Sequence, residues 1–209
     1  MLTPDEQTAF LTAIDSVKAV SKRQLEERTY PDNVMRIIPQ LHHKVDELFV
    51  QAQAEGRQIA CRAGCSFCCH VRVEAKQAEI DYIAQKLHQL PETELTAILV
   101  HMEQGFAEKA AFSLSDPLKK LPCVLLKNQQ CMIYENRPTV CRKGHSIDVQ
   151  PCADGASEIP QHLDLILKAE AWIQGVGVAC AEMAAQHDSD QPFVSKEFTQ
   201  ALWATLHTS

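Results

Sequence analysis

Apolar residues recur three and four positions apart along most of this chain, the spacing that places them on one face of a helix. At the N-terminus, Thr3-Pro4-Asp5-Glu6 offers a cap residue, a proline at the first helical position and a glutamate at the third. The helix predicted there presents Phe10, Leu11, Ile14, Val17 and Val20 on one face. A second helix is expected from near Asp32 to Glu55, on Ile37, Ile38, Leu41, Val45, Leu48 and Phe49. Pro39 should kink it or mark its true start, and Gly56 is a natural stop. A third helix, about Glu74 to Leu90, rests on Ile80, Ile83, Ala84 and Leu87. A fourth runs from Pro91 to near Phe112 through Leu95, Ile98, Leu99, Met102 and Phe106. Helices from near Pro160 to Gln186, with Gly175 and Gly177 weakening its middle, and near 195–207 close the chain.

The period fails in the middle. Residues 59–72 follow no repeat, and Ser113–Pro122 reads as a loop by its Ser, Asp and Pro content. In CVLLKNQQCMIY, residues 123–134, two short apolar runs flank a polar centre, which predicts a hairpin. Arg137-Pro138 opens a turn or short helix, and residues 143–160 are loop-like. The fold class expected is mainly α: a helical domain with a small β-hairpin next to a cysteine-ligated metal site. Residues 1–209 are read as a single domain in which a cysteine-rich region, 60–145, carries helical extensions at both ends.

Composition narrows the function. With 209 residues and 45% hydrophobic content a sizeable core can be buried. A net charge of −7 argues against nucleic acid, whose phosphates need clustered Lys and Arg. No segment approaches the roughly 18–20 apolar residues of a membrane span. The N-terminus is polar and acidic where a secretory signal is basic and then apolar. The protein is therefore expected to be cytoplasmic, where thiols stay reduced and metal sites outnumber disulfides.

Nine cysteines change the picture most. Cys61, Cys65, Cys68 and Cys69 fall within nine positions, and Cys123, Cys131, Cys141 and Cys152 follow. Thiolate is the preferred ligand of zinc and of iron–sulfur clusters, and the Cys61/Cys65 and Cys65/Cys68 spacings suit metal ligands. All eight are candidate ligands. Four thiolates do not choose between zinc and a cluster. Neighbouring side chains point apart, so Cys68 and Cys69 should serve different centres, or one should be a spare or redox thiol. Eight thiols would suffice for two four-ligand sites. Cys180 lies on an apolar helix face and is assigned to packing.

Arg62, Arg72, Lys76, Arg137, Arg142 and Lys143 flank the cysteines. Of these, Arg137 and Arg142 are the candidates for neutralising a centre's negative charge. His70 and His145 could complete a set of three cysteines and one histidine, while His42, His43 and His88 occupy helices without neighbouring ligands. Glu74, His70 and His145 are the nearby groups suited to proton transfer.

The two cysteine motifs, CRAGCSFCC and, some fifty residues later, PCVLLKNQQCMIYENRPTVCR, resemble the bacterial cysteine-cluster proteins of the YkgJ type. That family is described as zinc- or iron-chelating and carries a CxxCxxCC motif. The matching positions are Pro122-Cys123, Cys131, Ile133-Tyr134-Glu135, Arg137-Pro138 and Cys141-Arg142. One interval departs, since three residues separate Cys61 from Cys65 where the motif has two. The resemblance implies a metal-binding protein. Members similar to flagellin lysine methylases imply an enzymatic alternative, modification of a protein side chain, for which the sequence has no glycine-rich cofactor loop.

Three functions follow. The leading one is a cytoplasmic protein whose thiolates hold an iron–sulfur cluster or zinc. The alternatives are a metal-cluster-dependent enzyme and a zinc-stapled module that grips a protein partner.

Overall fold

The computed structural model describes residues 2–27, 32–62, 64–113, 121–156, 158–186 and 194–208. The first helix, α1, spans Pro4–Glu26 and starts with the expected capping box. Glu6 N–H donates to the Thr3 hydroxyl, and Thr3 N–H donates to the Glu6 carboxylate at 2.7 Å. Helix α2, Asp32–Ala54, runs through Pro39 without interruption, so the proline neither starts nor ends it. It stops at Gly56, where Arg57 N–H returns to the carbonyl of Ala52 at 2.9 Å.

The stretch after the first cysteines differs from expectation. Residues 74–76 form a strand, β1 (Glu74–Lys76), and α3 begins only at Gln77, running to Leu87. β1 pairs antiparallel with β4 (Ser195–Glu197), Glu74 opposite Glu197, and α8 (Phe198–Thr208) follows at once. The C-terminal helix therefore begins three residues later than read, behind a strand. Helix α4, Glu92–Ser113, matches its expected span. Most of the loop expected at 113–122 lies outside the described residues.

The hairpin is present but short. β2 (Leu126–Lys127) pairs with β3 (Gln130–Cys131), Leu126 opposite Cys131. Both turn residues, Asn128 and Gln129, take positive φ, as in the two-residue turns whose twist matches a hairpin. The short helix α5, Thr139–Arg142, starts behind Pro138. Within the segment read as a loop, a further short helix, α6, forms at Gln150–Ala153. Helix α7 spans Leu163–Ala185.

Two apolar clusters hold these elements. Leu25 of α1, Ile37, Leu41 and Val45 of α2, and Val176, Ala179 and Cys180 of α7 form one. Ile80, Ile83 and Leu87 of α3, Met102 of α4, Leu125, and Leu202 of α8 form the other. The α1 face differs from the simple period: Leu11 and Val20 are 60% and 38% exposed, while Ser21 and Leu25 are buried. The helix turns a stripe containing Val17, Ser21 and Leu25 inward instead. Gly175 of α7 explains the fit, since a Cβ there would lie 2.7 Å from Val17 Cβ. The glycine is a close-approach site between α1 and α7, not merely a weak point.

Candidate metal centre

Two chain segments that are far apart in sequence meet at the cysteines. Cys123 N–H donates to the carbonyl oxygen of Cys69 at 2.6 Å, and Ala60 N–H donates to that of Ser146 at 2.8 Å. Each contact has a local origin. Cys65 N–H bonds Arg62 O at 2.9 Å in a tight turn with Gly64 in the left-handed region, φ 85°. A single turn of 3₁₀ helix, Phe67–His70, then carries Cys68 and Cys69, and α6 packs against it with Cys152. Consecutive residues of a 3₁₀ turn are rotated by about 120°, so the adjacent thiols diverge at the backbone.

On the other side, Cys131 lies in β3, Cys123 precedes β2 by three residues, and Cys141 sits in α5. Cys123 is not in a strand as the longer expected hairpin required, but the turn Leu126 N–H to Cys123 O at 2.9 Å keeps it beside Cys131.

Backbone amides act on several of the sulfurs. Ser146 N–H donates to Cys61 Sγ at 3.2 Å. The amide of Leu125 serves Cys123, and that of Ile133 serves Cys131. Such bonds favour thiolate over thiol. Burial opposes them and wins, keeping Cys61, Cys123 and Cys131 above the usual thiol range. Burial pushes Cys141 up to about 12, with further contributions from Cys123, Cys131 and Cys68. The adjacent Cys68 and Cys69 thiols act on one another, which lowers the first and raises the second. Among the described residues, no three His, Cys, Asp or Glu side chains stand ready as a ligand set. Ligation requires thiols to lose protons and turn, and the donor chemistry and the amides around it suit zinc or iron.

The two arginines have separate tasks. Arg137 acts on Cys68 and Cys131 as a nearby positive charge. Its guanidinium lies 3.9 Å from the ring centre of exposed Tyr134, and it donates to the Tyr134 carbonyl and to Asp46. Arg142 is buried. It donates to the carbonyls of Arg137 and Glu135 and to the carboxylate of Asp46, tying the Tyr134–Arg142 stretch to α2.

Glu79, a buried residue of α3, accepts from the amide of Thr139 at 2.7 Å and pairs with His42 Nε2 at 2.7 Å. This fixes the first residue of the helix that bears Cys141. His42, read from sequence as having no role, thus supports the site. His145 is buried with Nε2 accepting from the amide of His162 at 2.9 Å and Nδ1 3.3 Å from Lys143 O, so its ring positions backbone. His70 Nδ1 lies 3.3 Å from Ser66 O, and Glu74 is exposed in β1. The Cys152 thiol faces Asp148 O at 4.0 Å. Cys180 is fully buried in the α1–α2–α7 cluster, as its packing role requires.

Asp46, Glu79 and Ser146 were missed in the sequence. Asp46 looks like any acid on an amphipathic helix, and the other two act through contacts 60 or more residues away.

Residues 60–162 match the CxxCxxCC family model, described as "Putative zinc- or iron-chelating domain". The chain carries a CxxCxxCC domain. The matched segment extends past 145 to include Cys152, and so contains all eight candidate ligands. Neither a curated protein nor a solved structure matches the chain. Among the described residues no helix is long and apolar enough to cross a membrane.

Proposed function

We propose that Cys61, Cys65, Cys68, Cys69, Cys123, Cys131, Cys141 and Cys152 hold zinc or an iron–sulfur cluster as thiolates. The observation that carries this reading is the meeting of the two cysteine segments, where the Cys123 amide donates to the Cys69 carbonyl at 2.6 Å and the Ser146 amide donates to Cys61 Sγ at 3.2 Å. Bound metal would replace the protons that burial now retains, and the amides would delocalise the negative charge of the thiolates. Arg137 adds positive charge, and Arg142 with Asp46 holds its loop in place.

The role is metal or redox handling in a reducing compartment. All nine cysteines are free, which suits the cytoplasm. Of the groups suited to proton transfer, His145 has both nitrogens engaged, His70 Nδ1 lies 3.3 Å from Ser66 O, and Glu74 is exposed in β1. Residues 1–209 are best read as one domain, because α2 supplies Asp46 and His42 and the C-terminal β4 pairs with β1.

Anaerobic purification with elemental analysis and a visible spectrum tests the proposal. Brown protein with iron and sulfide identifies a cluster; colourless protein with stoichiometric zinc identifies a zinc site. Protein that arrives metal-free, with every thiol titratable, and that takes up neither metal would overturn it.

A further inference from the structure

The segment around the first cysteines carries a charge opposite to that of the whole chain. From Arg57 to Val73 the sequence holds three arginines and no aspartate or glutamate, in a protein of net charge −7. Arg57 is occupied by a two-pronged bond to Asp164. Arg62 and Arg72 are exposed, and among the described residues neither forms an ion pair. Between them, Phe67 is 40% and Val71 54% exposed. The backbone beneath is pinned along its length, which holds these apolar groups at the surface. Cys65 N–H bonds Arg62 O, Cys69 N–H bonds Ser66 O, Cys123 N–H bonds Cys69 O, and Phe198 N–H bonds Val73 O.

We propose that the outward face of residues 62–72 is a docking surface for a protein segment that carries carboxylates on either side of an apolar side chain. Charge complementarity argues for this occupant, since two unpaired guanidinium groups bracket two apolar side chains. Arginine takes a carboxylate through two parallel hydrogen bonds, and covering Phe67 removes a large apolar surface from water. Aromatic side chains and arginine are also the residues that most often dominate the energy of protein interfaces. The proposal goes beyond the reading of the thiols as ligands and needs none of them.

Other polyanions suit this face less well. Nucleic acid needs clustered Lys and Arg, and the net charge of −7 repels its phosphates. An anionic membrane surface attracts each cation by about 1 kcal/mol, and two arginines are fewer than the clusters that bind lipid head groups. A short acidic segment meets only the local charge, because the rest of the protein is screened beyond roughly 10 Å at about 0.1 M ionic strength.

The test is fluorescence anisotropy of the full-length chain, purified anaerobically, with a fluorescein-labelled peptide in which Leu-Phe is flanked on each side by Asp-Glu. One control peptide has Lys in place of every acid, and another has Ser in place of Leu and Phe. The acidic, apolar peptide is expected to bind, and more weakly as salt rises. The double variant Arg62→Glu/Arg72→Glu and the single variant Phe67→Ser should each weaken it about tenfold. Arg23→Glu, a charge reversal at an exposed position of α1, should leave it unchanged. Circular dichroism checks folding, and Arg62→Gln/Arg72→Gln and Val71→Ser replace any variant that misfolds. No binding at about 1 mM peptide, equal binding of either control peptide, or full-strength binding by the double variant overturns the proposal. So does tighter binding of single-stranded RNA or of phosphatidylserine vesicles that the same double variant loses. Metal analysis of the same samples reports on the thiols separately, so either reading can fail alone.

Discussion

The amide of Cys123 donates to the carbonyl oxygen of Cys69 at 2.6 Å, joining two cysteine segments that lie 54 residues apart in the chain. This bond uses backbone atoms and leaves both thiols for ligation. With two apolar clusters also holding the helices, metal should stabilise the site instead of creating the fold.

That expectation can be measured by heating. A strong chelator should lower the melting temperature of the holoprotein, because an ion that binds only the native state adds stability by mass action. Far-ultraviolet circular dichroism of the stripped protein should nonetheless keep most of its helical signal. Complete unfolding on stripping would mean that the two apolar clusters do not sustain the fold alone.

Glu79 should matter more than its distance from the sulfurs suggests. Glu79→Ala leaves the amide of Thr139 and the ring of His42 without a buried partner, at a cost of about 3 kcal/mol. Denaturant midpoints would show this, and metal affinity should weaken with it because α5 positions Cys141. Glu79→Gln retains an acceptor for Thr139 and should recover part of both effects.

The two glycines of α7 should respond oppositely. Gly175→Ala puts a Cβ 2.7 Å from Val17 and should destabilise by ~1–3 kcal/mol. Gly177 has nothing within 4 Å of its Cβ position, so Gly177→Ala should be neutral or stabilise by up to about 1 kcal/mol. Val17→Ala should rescue the first variant. Thermal unfolding of the three proteins decides the matter.

Cys180 offers a pH test that avoids the candidate ligands. Burial raises its thiol from 9.0 to about 12 in the folded state. Below pH 9 it is protonated in both states. Between pH 9 and about 12 the unfolded chain loses the proton while the folded chain keeps it, so stability falls as pH rises. Cys180→Ala should flatten that fall in metal-stripped protein. Parallel stability curves for the two proteins across this window would contradict the assignment.

Much of this arrangement was legible in the residues because its causes are local. Thr3 to Glu6 is a self-contained cap, Gly56 a self-contained stop, and two apolar runs around Lys127–Gln130 suffice for a hairpin. Glu74–Lys76 misled because glutamate, alanine and lysine favour helix, while their strand partner, Ser195–Glu197, lies some 120 residues away. Gly175 read as a defect because its reason is a side chain on another helix. The cysteine motifs marked the candidate centre by composition, but its supports, Asp46, Glu79 and Ser146, are common polar residues whose partners only folding reveals.

The central claim is that both cysteine segments serve bound metal, and metal content in three variants tests it most directly. Wild type, Cys65→Ser, Cys141→Ser and Cys180→Ser would be purified anaerobically and analysed for zinc and iron per chain. Strong loss in Cys65→Ser and in Cys141→Ser, with Cys180→Ser equal to wild type, is the predicted result. Equal metal in all four proteins, or loss confined to one of the two segments, would contradict it.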